Sequence, residues 1–417
     1  MHPTRTRVAA AALTAALLGG ACTGLSSSRS AETSALQWAA CGEEDLEGLE
    51  CARLGVPLDH DGTLLGATYT ALFPERVRAM VLDGAVGPNL TPDELMLTQA
   101  RSFDRALERF AAACRDDAWC AAGPDALALF DRVLAQAEAS PVAGTRSSET
   151  RTLTLGWLHT GVAAALYDSG LWTVLARSLS DADRSDTAGL LALADSYAER
   201  DTDGTYPNAL DAQVAISCAD ESPRARTDPA GRLDAFRAAA PRFGPAAAWS
   251  LGSCEHWPAA AHAPVRLAGY SGAPVLVIGT LGDPATPYEW AANLVDVLGS
   301  AVLLTAEGDR HTAYPTNACV AAAVDWYLLQ GAAPVNGTRC AASLDELRPF
   351  SAAVTEYRDQ LLAAGLSDEH ASCAAEKIVT QLPTADLLAV QTNSASLLPR
   401  LRVDAIVEGC AAPGSRQ

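Results

Sequence analysis

A chain of 417 residues is long enough for about two or three domains with sizeable cores. Hydrophobic residues make up 49% of it and charged residues 19%, which excludes a wholly disordered chain and disfavours collagen or a coiled coil. Thirty Lys+Arg against fifty Asp+Glu leave a formal charge of −20, a surface that repels phosphate backbones and offers no counterion release, so no nucleic-acid partner is expected.

The first segment reads as an export signal. Arg5 and Arg7 precede an apolar run, Val8–Leu18, which small residues close before Cys22. The run is too short to span a bilayer comfortably, so residues 1–21 are expected to be a signal peptide. Cys22 after Leu-Leu-Gly-Gly-Ala resembles the lipidated cysteine of a bacterial lipobox, although Leu18 sits one place too far upstream. The alternatives are a lipoprotein anchored to the membrane through acyl chains alone, and a freely secreted protein. Residues 22–35 form a Ser/Thr/Ala-rich tether.

The eleven cysteines agree with export, because setting Cys22 aside leaves ten, an even number that suits five disulfides in an oxidising compartment. Sequence does not fix their connectivity, but neighbours suggest Cys41–Cys51, Cys114–Cys120, Cys218–Cys254, Cys319–Cys340 and Cys373–Cys410. No CxxC or HxxxH spacing points to a metal, and no cofactor is implied.

Residues 36–94 carry an α/β pattern. Leu54–Leu58 suits an edge strand, Leu64–Phe73 a helix stopped by Pro74, and Val77–Leu82 a short strand ending at the turn signal Asp83-Gly84. Residues 95–260 change to Ala/Leu/Arg/Asp segments of helical period, such as Phe103–Ala113, Ala126–Ala139, Leu153–Tyr167 and Leu171–Leu179, and predict a helical lid. The α/β pattern resumes over 261–342, with a buried strand at Ala273–Gly279, a helix over Pro287–Leu298, a strand over Ala301–Thr305 and a helix over Ala318–Leu329. Residues 343–417, broken by Pro349, Pro383 and Pro399, are expected to be a separate small helical domain.

Asp283 and His311 each follow a buried strand, with one helix between them. Groups at the carboxyl ends of parallel strands converge on one edge, and an acid followed by a histidine is the order of the last two members of a Ser…Asp…His triad. Taken alone, Asp283 is more simply a turn residue that caps a helix, and His311 a loop histidine. Several strings add weight: Thr63-Leu-Leu-Gly-Ala-Thr-Tyr69, Leu72-Phe-Pro-Glu-Arg-Val77, Met80-Val-Leu-Asp-Gly-Ala-Val86, Gly279-Thr-Leu-Gly-Asp-Pro-Ala-Thr-Pro287 and Glu307-Gly-Asp-Arg-His-Thr-Ala-Tyr314. Together they resemble the actinobacterial tripeptidyl aminopeptidases, α/β-hydrolases related to proline iminopeptidases, over about Trp38 to Cys340.

The resemblance implies an α/β-hydrolase-like parallel sheet with a helical lid insertion, peptide substrates or ligands, Asp283 as triad acid and His311 as base. It also implies a departure. In the family a Gly-x-Ser-x-Gly elbow opens the helix that begins Thr-Leu-Leu-Gly, and here Leu58-Asp-His-Asp-Gly62 stands in its place, with His60 where the serine belongs. Gly269-Tyr-Ser-Gly272 lacks the final spacing and precedes a strand, so Ser271 is expected to be a loop residue. Val56-Pro-Leu-Asp59 runs straight into the helix, without the family's oxyanion loop and its first strands, as if a segment were deleted, so the sheet is expected to be truncated. Turnover by the ordinary acyl-enzyme route is therefore not expected.

Asp220 and Glu221, after Cys218, are candidates to read a free peptide amine, against the simpler reading of a solvated acidic loop. Trp157, Tyr167, Trp172 and Trp249 either line a pocket or pack the lid core, and their helical spacing favours packing. The rival function is a non-catalytic cell-envelope lipoprotein that binds peptides or a protein partner.

Overall fold

The computed structural model describes residues 39–40, 50–51, 65–144, 149–201, 203–220, 228–255, 266–270, 272–392 and 397–410. Cys22, Cys41, the Leu54–Leu58 segment, His60, Glu221 and Ser271 lie outside them. Residues 1–56 form a unit of their own, in which β1 (Ala39–Ala40) pairs antiparallel with β2 (Glu50–Cys51).

In the second unit, α1 (Leu65–Leu72) leads through a 3-10 turn at Pro74–Arg76 to β3 (Met80–Asp83). The strand starts at Met80, later than the apolar run beginning at Val77. The lid follows as α2 (Pro92–Asp116), α3 (Ala126–Ala139), a small hairpin of β4 (Val142–Ala143) and β5 (Thr152–Leu153), then α4 (Leu155–Leu166), α5 (Trp172–Ala182), α6 (Ala188–Tyr197), α7 (Ala209–Asp220), α8 (Pro229–Ala239) and α9 (Gly244–Ser250). The α/β pattern then resumes with β6 (Val275–Thr280), α10 (Tyr288–Leu298), β7 (Val302–Ala306), α11 (Ala318–Gln330) and β8 (Thr338–Cys340). The chain ends in α12 (Leu344–Leu347), α13 (Pro349–Ala363), α14 (Asp368–Gln381), α15 (Thr384–Gln391) and α16 (Leu397–Cys410).

Among the described residues the main sheet has four strands in the order β3-β6-β7-β8, all parallel. The fourth strand, β8, is not visible in the sequence because three residues, Thr-Arg-Cys, show no apolar period. Its register is set by Leu304↔Thr338 and Ala306↔Cys340, and the Cys319–Cys340 disulfide ties it to α11. Every residue of β6 is buried, as expected of a central strand covered on both faces. On one face Leu276, Ile278 and Leu304 pack against Val320, Val324 and Tyr327 of α11; on the other Val275 and Val277 pack against Ala67 of α1 and Leu294 of α10.

The long lid helix α2 starts where its sequence says it should. Thr91 accepts from the Glu94 N–H while the Glu94 carboxylate accepts from the Thr91 N–H, a capping box with Pro92 at the first turn. Its buried positions, Phe103, Leu107, Phe110 and Cys114, recur at helical spacing and face the lid core. The Cys114–Cys120 disulfide closes the turn that follows.

The C-terminal helices depart from the expectation of a separate domain over 343–417. Phe350, Tyr357, Ile378, Leu382 and Leu387 are buried in the same core as Phe110, Leu158, Trp172, Leu175 and Leu190 of the lid. Phe110 meets both Trp172 and Phe350 edge-on, with ring centroids 5.7 and 6.2 Å apart. The apolar stripes of these helices need a partner surface, and the lid supplies it. The remaining described bridges are Cys218–Cys254 and Cys373–Cys410; the suggested Cys41–Cys51 pair involves Cys41, outside the described residues.

Candidate active site

The two strand-end loops meet at the C-terminal edge of the sheet. Beyond the last β6–β7 pair, Thr280↔Ala306, the ladder continues as Leu281 N–H donates to the Ala306 carbonyl and Gly282 N–H to the Gly308 carbonyl. A Cβ at Gly282 would lie 2.3 Å from the Gly308 oxygen, so only glycine lets the two backbones approach this closely.

Asp283 is 2% exposed, and its turn cages its carboxylate. Oδ1 accepts from the N–H groups of Ala285 (2.8 Å) and Thr286 (2.7 Å), and Oδ2 from the Thr286 hydroxyl (2.9 Å). His311 Nδ1 stands 3.0 Å from Oδ2 and 3.2 Å from Oδ1. A carboxylate in this place holds the imidazole with Nδ1 protonated and leaves Nε2 free to accept a proton. Among the described residues no side chain hydrogen-bonds Nε2.

The lid closes over the imidazole. His311 N–H donates to the Tyr167 carbonyl at 2.7 Å, and the Tyr167 ring meets the imidazole edge-on at 5.0 Å. Ser169 N–H donates to the Asp309 carbonyl at 3.0 Å. Arg310 reaches Asp168 at 2.9 Å and the nearly buried Glu346 carboxylate at 3.3 Å, joining base loop, lid and α12. Burial pushes the Tyr167 phenol up, with Tyr197 and Asp283 adding to the shift, so it remains a neutral wall beside the ring.

Two residues here were given no site role from the sequence. Thr286 braces the acid, with its hydroxyl 3.2 Å from His311 Nδ1 as well as 2.9 Å from Asp283 Oδ2. Asp83, which reads as a turn signal, instead ends β3 beneath the base loop, where its Oδ2 accepts from the N–H groups of Ala313 (2.9 Å) and Tyr314 (2.8 Å). Among the described residues its Oδ1 is buried without a partner. Desolvation raises the Asp83 carboxyl above its ordinary range, the two amides oppose the shift, and Asp283 adds to it. The next residue, Gly84, has φ +70° and leaves room for the imidazole, since a Cβ there would lie 2.9 Å from His311 Cε1.

Of the other aromatic candidates, Trp157, Trp172 and Trp249 do not join this cluster. Asp220 ends α7, and its side chain, like Glu221, lies outside the described residues. Trp172 is buried in the lid core, Trp157 stacks on Tyr206 at 6.1 Å, and Trp249 is exposed.

Residues 62–168 match the family model described as alpha/beta hydrolase fold, and residues 240–340 the one described as TAP-like protein. The chain is an α/β-hydrolase of the TAP-like family. It is 36% identical to serine protease Hip1 of Mycobacterium tuberculosis over 297 residues, covering 67% of this chain and 56% of that protein. It is 38% identical to carboxylesterase B of the same organism over 280 residues, covering 64% and 53%. Tripeptidyl aminopeptidase of Streptomyces lividans is 28% identical over 295 residues, covering 67% and 53%. The chain thus spans about half the length of the curated relatives it matches.

Proposed function

We propose that this chain descends from an exported peptidase of the tripeptidyl aminopeptidase type, that it keeps the acid and base of the hydrolytic relay, and that it does not turn over peptides by itself. The observation that carries the reading is the 3.0 Å contact between Asp283 and His311 at adjacent strand ends, in a sequence with no Gly-x-Ser-x-Gly string. In the intact reaction a serine hydroxyl would give its proton to His311 Nε2 as it attacked the peptide carbonyl, Asp283 would stabilise the imidazolium, and backbone N–H groups would receive the oxyanion. One oxyanion donor alone is worth roughly 2.7–4 kcal/mol to such a transition state, so loss of donor loop and nucleophile together removes the means of turnover.

Export is supported by four described disulfides and by relatives with serine protease and tripeptidyl aminopeptidase names. No described helix is long and apolar enough to cross a membrane, and acylation of Cys22 would provide the anchor. A serine-directed fluorophosphonate tests the catalytic part. The purified chain should remain unlabelled, and covalent labelling of any serine that depends on His311 would overturn the reading.

A further inference from the structure

The carbonyl groups of the acid turn are held from the lid. Gln99, Ser102 and Arg109 lie along one side of α2, next to the stripe of Phe103, Leu107 and Phe110 that packs in the lid core. Gln99 Nε2 donates to the Ala285 carbonyl, the Ser102 hydroxyl to the Asp283 carbonyl and Arg109 Nη2 to the Gly282 carbonyl, each at 2.7 Å. Arg109 Nε also pairs with Asp309, two residues before the base. Ser102 is 3% exposed, so its bond lies in a dry contact between lid and turn.

These carbonyls need donors from outside the sheet. The β6–β7 ladder uses the Leu281 and Gly282 N–H groups, while the Asp283 carboxylate takes the Ala285 and Thr286 N–H groups. Among the described turn and loop residues no backbone N–H donates to the Gly282, Asp283 or Ala285 carbonyl, and a buried carbonyl without a donor is costly. The backbone angles of residues 282–286 also set where the Asp283 carboxylate points, and thus its distance to His311.

We propose that Ser102 is a positioning residue for the Asp283–His311 pair, with Gln99 and Arg109 of the same helix face completing the grip, so that the lid sets the geometry of the acid. The proposal rests on the acid–base reading above but is independent of any turnover. Ser102 acts through the turn and touches neither carboxylate nor imidazole.

The test is proton NMR of the full-length oxidised chain, following the downfield Nδ1–H of His311, identified by its loss in His311→Ala. In Ser102→Ala this proton should move upfield and exchange with water about five- to tenfold faster, as expected for loss of one buried hydrogen bond. Gln99→Met should shift it in the same direction. Ser351→Ala removes a comparable hydroxyl contact, to Asp117 at 2.9 Å on the far end of α2, and should leave the resonance where it is. An unchanged resonance in both Ser102→Ala and Gln99→Met overturns the proposal, as does an equal acceleration in Ser351→Ala, which would mark general loosening. If the wild-type chain shows no such proton, the Asp283–His311 pairing itself fails and the proposal falls with it.

Discussion

Asp283 and Asp83 show how two carboxylates held against one base loop take different tasks. Asp283 accepts from its own turn and from His311, so replacing it by alanine strands the Ala285 and Thr286 N–H groups in a site 2% exposed. Asp283→Ala should therefore destabilise the fold by about 1–3 kcal/mol in a denaturant titration, and a change within error would show that the turn holds itself. Asp83 is raised by desolvation above its usual 3.8, so the folded chain binds its proton more tightly than the unfolded chain does. Its contribution to stability is thus present at low pH and declines as pH rises through the window above 3.8. Asp83→Asn keeps an acceptor for Ala313 and Tyr314, so its melting temperature relative to wild type should climb across that window. A difference that stays constant with pH would contradict the assignment. Strand ends and acid-then-histidine order placed Asp283 and His311 at one sheet edge but left simpler readings for each, and the resemblance to the tripeptidyl aminopeptidases is what singled out the pair. Thr286 and Asp83 were not legible, since a threonine in a turn and an aspartate before glycine have simpler readings, and only the folded backbone brings them under the base loop.

At the level of elements, β6, β7, α10 and α11 could be read from apolar runs and breakers to within a few residues, because each buries a continuous face. The strand β8 could not, because its pairing with β7 and the disulfide to α11 fix it, and neither leaves a periodic trace. The C-terminal helices could be placed as helices but not docked: their apolar stripes are visible, whereas the surface they cover is not. That docking carries a prediction. Phe350 is fully buried against Phe110, so Phe350→Ala should cost roughly 3–5 kcal/mol and lower the transition of lid and tail together. Loss of tail helix signal alone, with lid fluorescence unchanged, would instead mark an independent domain. The Cys319–Cys340 bridge closes a 21-residue separation, and removing it by a paired Cys→Ser change should lower stability by about 2–4 kcal/mol, read from the shift in denaturation midpoint.

For the molecule as a whole, the α/β frame, the inserted lid and the acid–base loops place the chain in its family, yet its four described parallel strands accompany a sequence without the nucleophile elbow. The lid holds the turn that carries Asp283 through hydrogen bonds from Gln99, Ser102 and Arg109. The most direct measurement is hydrolysis of a tripeptide anilide with a free N-terminus by the purified, oxidised chain. The account predicts no release above the buffer rate, and the same result after His311→Ala. Release of the anilide by the unaltered chain that disappears in His311→Ala would contradict it.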